Sequence, residues 1–125
     1  MIFDTDVFIW VEKGNEKASR LIEQAEERFL SIQTYMELLQ CAGNKVQHKN
    51  VKDFLSSYGF VVLSFTENIG HRASIYIEEY TLSTGLRAAD AVIAATATEN
   101  NMELVSGNTK HFKPIKELKL KSFKP

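Results

Sequence analysis

The chain of 125 residues holds a single cysteine, Cys41. That excludes a disulfide framework and any cysteine-based zinc site, and it fits a reducing compartment. With no catalytic His/Asn set beside it, Cys41 reads as buried packing. The three histidines, His48, His71 and His111, lack zinc-ligand spacing and read as surface or structural residues. Two prolines and six glycines exclude a low-complexity or collagen-like chain. No glycine-rich phosphate loop, nucleophile elbow or dinucleotide fingerprint is present. Long hydrophobic runs are missing too. The most apolar stretch, Ala91–Ala97, is far short of the roughly 20 residues that a spanning helix needs. The N-terminus, Met1-Ile2-Phe3-Asp4, has neither a basic n-region nor an apolar h-region. The expectation is a soluble, cytoplasmic protein that engages no membrane.

What is present is ordinary globular composition, 44 % apolar and 25 % charged, in a length that suits one domain. The net charge of −1 is unevenly spread. Residues 1–109 carry 9 basic and 15 acidic side chains, a net −6, whereas residues 110–125 carry six Lys and one Glu, a net +5. An acidic body repels phosphates unless a cation intervenes.

Short strands alternate with helices along the chain. Ile2-Phe3, Phe29–Ile32, Phe60–Leu63 and Glu103–Val105 read as strands, and Leu118–Lys121 alternates as an edge strand would. Val7–Val11 is apolar but too short to assign. Helical spacing runs from Glu16 to Arg28. Thr34-Tyr35-Met36-Glu37 has the form of a capping box opening a helix through Ala42. A short helix around Val51–Tyr58 is closed by Gly59. Thr66 opens another, broken by Gly85, and Ala88–Glu99 is an alanine-rich helix. This alternation predicts an α/β sandwich around a mainly parallel sheet.

In such sheets sites form at the carboxyl ends of strands. Asp4 and Asp6 follow the first strand, Glu37 opens a helix after the second, and Ser106, Gly107 and Asn108 follow the late strand. Asp90 lies in the first turns of the alanine-rich helix. Each has a purely structural explanation. Asp6 could cap Val7–Val11, Glu37 could complete the box with Thr34, Asp90 suits a helix dipole, and Asn108 suits a turn. Together they pose a question. Asp90 is surrounded by apolar residues, with Arg87 the one local partner, and gathered carboxylates repel one another. A divalent cation removes that cost.

The same residues resemble a known family. Ile2-Phe3-Asp4-Thr5-Asp6-Val7-Phe8-Ile9 is similar to the opening motif of PIN domains, and Ser31 to Glu37-Leu38 to their second. Gly85–Ala97 (GLRAADAVIAATA) is a close match to the third, and Leu104–Phe112 (LVSGNTKHF) resembles the fourth. The order and spacing fit over essentially the whole chain. Size and motif style resemble the VapC-type toxins of type II toxin–antitoxin systems. The resemblance implies a single PIN-like domain over residues 1–125, a three-layer sandwich with a short, mainly parallel central sheet flanked by helices. It implies a metal-dependent endoribonuclease with Asp4, Glu37 and Asp90 as its acidic site. Ser106 matches the family's Thr/Ser. Where relatives carry a fourth acid this sequence has Asn108, an uncharged carbonyl donor, for which Asp6 could partly compensate.

On that resemblance Mg²⁺ or Mn²⁺ would be held chiefly by Asp4 and Asp90, with Glu37 a ligand directly or through water. Arg87 would partner the acidic cluster. Lys110 and Lys113, with Lys116, Lys119 and Lys121, could contact the RNA backbone, or simply protect a solvated edge. The implied partners are RNA, a cognate antitoxin and a second copy of the chain. Two alternatives remain. Asp4-Thr5-Asp6-Val7 also fits the HAD-type phosphatase motif, with Asp4 as nucleophile, though the chain is short for that fold. The other is a catalytically inactive PIN-like RNA-binding module.

Overall fold

Ile2–Phe3 forms β1, and the next residue, Asp4, accepts the Thr5 N–H with its own side chain and so caps α1 (Thr5–Glu12). The unassigned VFIWV stretch is therefore helical, and its cap is Asp4 rather than Asp6. The computed structural model describes residues 1–125. After α1 come α2 (Glu16–Gln24), β2 (Phe29–Ser31), α3 (Ile32–Cys41), α4 (Lys45–Ser57) and β3 (Val61–Leu63). They are followed by α5 (Glu67–Thr84), α6 (Ala88–Glu99), β4 (Leu104–Ser106), α7 (Thr109–Phe112) and β5 (Leu120–Ser122).

The five strands pair in the order β3-β2-β1-β4-β5, and every pairing is parallel. Successive strand residues point to opposite faces. Ile2 and Leu104 thus enter one core with Ile69, Ala73 and Tyr76 of α5 and the inner face of α6. Phe3 and Val105 enter another, with Val7 and Phe8 of α1, Ile22 of α2 and Leu55 of α4. Two apolar layers on either side of one sheet make the expected three-layer sandwich. Each fully buried large side chain, such as Phe3 or Leu104, contributes roughly 1.5–3 kcal/mol. The alanines of α6 let it lie close between the sheet and α5, with Ala91, Ala94, Ala95 and Ala97 wholly buried.

Several boundaries depart from the sequence reading for local reasons. α2 ends at Gln24, not Arg28, because the Arg28 guanidinium donates to the Ile22, Glu23 and Tyr58 carbonyls and occupies the helix's open end. The N-cap of α3 lies three residues before Thr34, the expected cap. Ser31, the last residue of β2, is the N-cap, and its Oγ accepts the Thr34 N–H at 3.0 Å. The Thr34–Glu37 capping box is not formed, since both residues lie inside the helix. α6 matches its expected span, and Gly85 closes α5 in the left-handed region (φ 75°). β5 pairs beside β4 at the sheet edge, while Leu118 turns into the core. Arg72 of α5 bridges Glu99 of α6 and Glu117, anchoring the segment that leads into β5. No helix is long and apolar enough to cross a membrane.

Candidate active site

The parallel strands β1, β2 and β4 end at the same edge, and the predicted site residues collect there. Asp4 is only 5 % exposed. Its Oδ1 accepts the Thr5 N–H, and its Oδ2 accepts the Ser106 hydroxyl, both at 2.7 Å. Ser106 Oγ in turn accepts the Asn108 N–H at 2.9 Å. Burial above all, and then the Asp6 charge, push the Asp4 carboxyl up to about 7. The Ser106 and Thr5 hydrogen bonds oppose this, and Asp90 adds a smaller upward push.

Asp6 projects from the first turn of α1. Its Oδ2 accepts the Gly107 N–H at 2.8 Å. A Cβ at position 107 would sit 2.8 Å from that oxygen and 3.1 Å from the Phe123 carbonyl oxygen, so a larger residue would have to displace the Asp6 side chain. The other oxygen, Asp6 Oδ1, is buried without any hydrogen-bond partner. Burial raises the Asp6 carboxyl too, again with a contribution from Asp90. Asp90, in the first turn of α6, places Oδ2 3.3 Å from His111 Nδ1. The same ring nitrogen lies 3.1 Å from Asn108 Nδ2. It can donate to the carboxylate or accept from the amide, one at a time.

Glu37 stands one and a half turns into α3, where Oε1 accepts the Thr5 hydroxyl at 3.0 Å. Arg87 does not pair with the acidic cluster. It is exposed at the N-cap position of α6 and makes no ion pair, and Asp90's charged-type partner is His111. Lys110 and Lys113 are exposed on and just after α7. Cys41 is exposed at the end of α3, not buried, because it faces an open groove of about 300 Å³ between α1, α3 and α4. Sequence reasoning missed three participants: His111, Thr5 and Thr34. His111 stands three residues after Asn108, one turn along α7. Thr5 is adjacent to Asp4. Those spacings were the available signals.

The donor set suits a hard divalent cation. It includes the Asp4 and Asp6 carboxyls, both raised by burial and then by neighbouring carboxylate charge, with one buried oxygen lacking any partner. No three His, Cys, Asp or Glu side chains stand close enough to form a closed cage. Mg²⁺ does not need one, since it is usually held by one or two carboxylates and keeps several waters.

The PIN domain family model matches residues 1–118. No curated protein sequence matches the chain significantly. Among solved structures, the chain resembles a toxin–antitoxin complex from Klebsiella pneumoniae at 29 % identity and a TM-score of 0.80, covering 94 % of this chain and 93 % of that one. It resembles VapBC-1 from nontypeable Haemophilus influenzae at 26 % identity and a TM-score of 0.78, covering 98 % of each chain. VapBC2 from Rickettsia felis, bound to a DNA fragment from its promoter, shares the fold at 21 % identity and a TM-score of 0.80, over 99 % of this chain and 100 % of that one. With the motifs in order and their side chains gathered at one sheet edge, the chain belongs to the PIN domain family.

Proposed function

We propose that this protein is an endoribonuclease that depends on Mg²⁺ or Mn²⁺ and acts as the toxin of a toxin–antitoxin pair. The observation that carries the reading is the buried, unpartnered Asp6 Oδ1 beside two further carboxylates, Asp4 and Asp90. A cation relieves the cost of holding these carboxylates together. Asp4 and Asp90 are the main ligands, Glu37 joins directly or through water, and Asp6 supports them, partly compensating for the uncharged Asn108. Such an ion, when bound, supplies an activated water and charge relief at the scissile phosphate. Ser106 holds Asp4 by its Oδ2, and the Gly107 N–H holds Asp6. His111 meets Asp90, and Asn108 meets the same ring nitrogen of His111. The exposed Lys110 and Lys113 contact the RNA backbone, positioning the strand without reading its sequence.

Phosphatase chemistry with Asp4 as nucleophile suits this family poorly. The PIN domain family model matches residues 1–118, and the similar solved structures are toxin–antitoxin complexes rather than phosphatases. The toxin assignment draws on neighbours described as toxin–antitoxin complexes. The groove between α1, α3 and α4 is lined by nine hydrophobic residues and reaches Thr5, next to Asp4. It is the surface on which we place the antitoxin, and a homodimer completes the assembly.

The test is cleavage of structured RNA by the purified chain, with and without EDTA. Wild type should cut only with Mg²⁺ or Mn²⁺. Asp90→Asn, folded and soluble, should lose at least about a hundredfold in rate, the scale on which removing charge from a catalytic site is felt. Equal cleavage by Asp90→Asn would remove that residue from the chemistry.

A further inference from the structure

Glu37 differs from Asp4 and Asp6 in how it is held. Asp4 and Asp6 each accept a main-chain N–H, whereas Glu37 accepts from one side chain, Thr5. Thr5 Oγ1 also lies 3.1 Å from Thr34 Oγ1, and Thr34 Oγ1 lies 3.3 Å from Ser31 Oγ. Ser31 Oγ accepts the Thr34 N–H. Three hydroxyls and one carboxyl thus form a chain across α1, the end of β2 and α3.

The direction of that chain follows from proton counting. Each hydroxyl has one hydrogen. If Thr5 donates to Glu37, its oxygen accepts from Thr34, whose oxygen accepts from Ser31. Every hydrogen then has an acceptor. In the reverse order Ser31 Oγ would receive both the N–H and the hydroxyl of Thr34. Its own hydrogen would be left with no acceptor at a residue that is 0 % exposed. Buried donors are rarely abandoned in that way. The forward order is therefore the one the geometry supports, and hydrogen bonds aligned in one direction strengthen one another. The chain ends on Glu37 Oε1 and leaves Oε2 without a protein partner.

From this we propose that Thr5 is the positioning residue for Glu37. Its hydroxyl, ordered by Thr34 and by the Ser31 cap behind it, fixes the carboxylate so that Oε2 is the oxygen presented to the site. The role of Thr5 goes beyond helix formation, because Val at the same place would keep the helix and the packing but lose the donor. It rests on the ribonuclease reading for its consequence in catalysis, but the hydrogen bond itself can be tested apart from that reading.

The test compares Thr5→Val with Thr5→Ser. In EDTA, the ¹³C resonance of the Glu37 side-chain carboxyl should move in Thr5→Val and return to its wild-type position in Thr5→Ser. With Mg²⁺ or Mn²⁺ and RNA, Thr5→Val should lower kcat by roughly ten- to a hundredfold, the range expected of a misplaced catalytic group, with KM little changed. Thr5→Ser should recover most of kcat. In a Glu37→Gln background Thr5→Val should add little, since the group it positions is already disabled. Should Thr5→Val give no cooperative melt, Thr34→Val is read in its place and should move the same resonance in the same direction. An unmoved carboxyl resonance, an unchanged kcat, or full multiplication of the two losses in the double variant would each overturn the proposal. A wild-type chain that cuts no RNA, with the resonance shift intact, would instead overturn the ribonuclease reading and leave the Thr5–Glu37 bond standing.

Discussion

Asp4 takes the consequences of burial further than any other side chain of the site. Its carboxyl is raised to about 7 in the folded chain, so between the ordinary carboxylate range and about 7 the folded protein binds a proton that the unfolded chain has released. Stability must therefore fall as pH rises through that window, by at most about 1.4 kcal/mol per pH unit from this group. In EDTA the melting temperature should be higher at about pH 5 than at about pH 7.5. Asp4→Asn, which cannot ionise, should flatten the difference. A wild-type melting temperature that rises over this interval would show that Asp4 is not the group that dominates. At this scale the sequence was informative about identity and weak on partnership. Asp4, Asp6, Glu37, Asp90, Ser106 and Asn108 could be named from their places after strands and in the family's motifs. Arg87 was the natural partner for Asp90 because it is near in sequence. The actual neighbour, His111, comes from α7, 21 residues on, and only the fold brings it there.

The elements were legible where one signal dominated and ambiguous where two competed. α6 was found at its full length because apolar alanines and a closing Asn100 leave no rival reading. The end of α5 was marked by Gly85, whose positive φ favours glycine. The start of α3 was misread because Ser31 and Thr34 both have cap chemistry, and only Thr34 is followed three residues later by Glu. The strand hides the better cap, since Ser31 serves β2 and α3 at once. Ser31→Ala should therefore cost about 0.5–2 kcal/mol in thermal unfolding in EDTA, the usual loss of an N-cap. Thr34→Ala has no cap to remove, though it leaves its own buried hydroxyl partners short. If the Ser31→Ala melt matched wild type, the cap would lie elsewhere.

Over the whole molecule, a five-stranded parallel sheet brings chain segments up to 102 residues apart within hydrogen-bonding distance at one edge, as between Asp4 and Ser106. The uneven charge seen in the sequence fits this layout, with carboxylates at the strand ends and exposed lysines just beyond β4. The apolar groove was not legible, because α1 was unassigned and Cys41 was placed in the core. Ile9 lies in it and is 36 % exposed. Ile9→Glu puts a charge into the surface assigned to the antitoxin, one turn along α1 from Thr5. When co-expressed with the cognate antitoxin, this variant should stay toxic, whereas wild type should be neutralised. Equal neutralisation would move the antitoxin to another face.

The ribonuclease proposal requires that the carboxylates at this sheet edge hold a divalent ion. Thermal melts at neutral pH, with EDTA and then with rising Mn²⁺, read this directly, because a ligand that binds only the folded chain raises its melting temperature. The wild-type temperature should climb with Mn²⁺. The double variant Asp4→Asn, Asp90→Asn should melt cooperatively in EDTA and gain nothing from the metal. A double variant that gains as much as wild type would contradict the account and place the ion at some other part of the molecule.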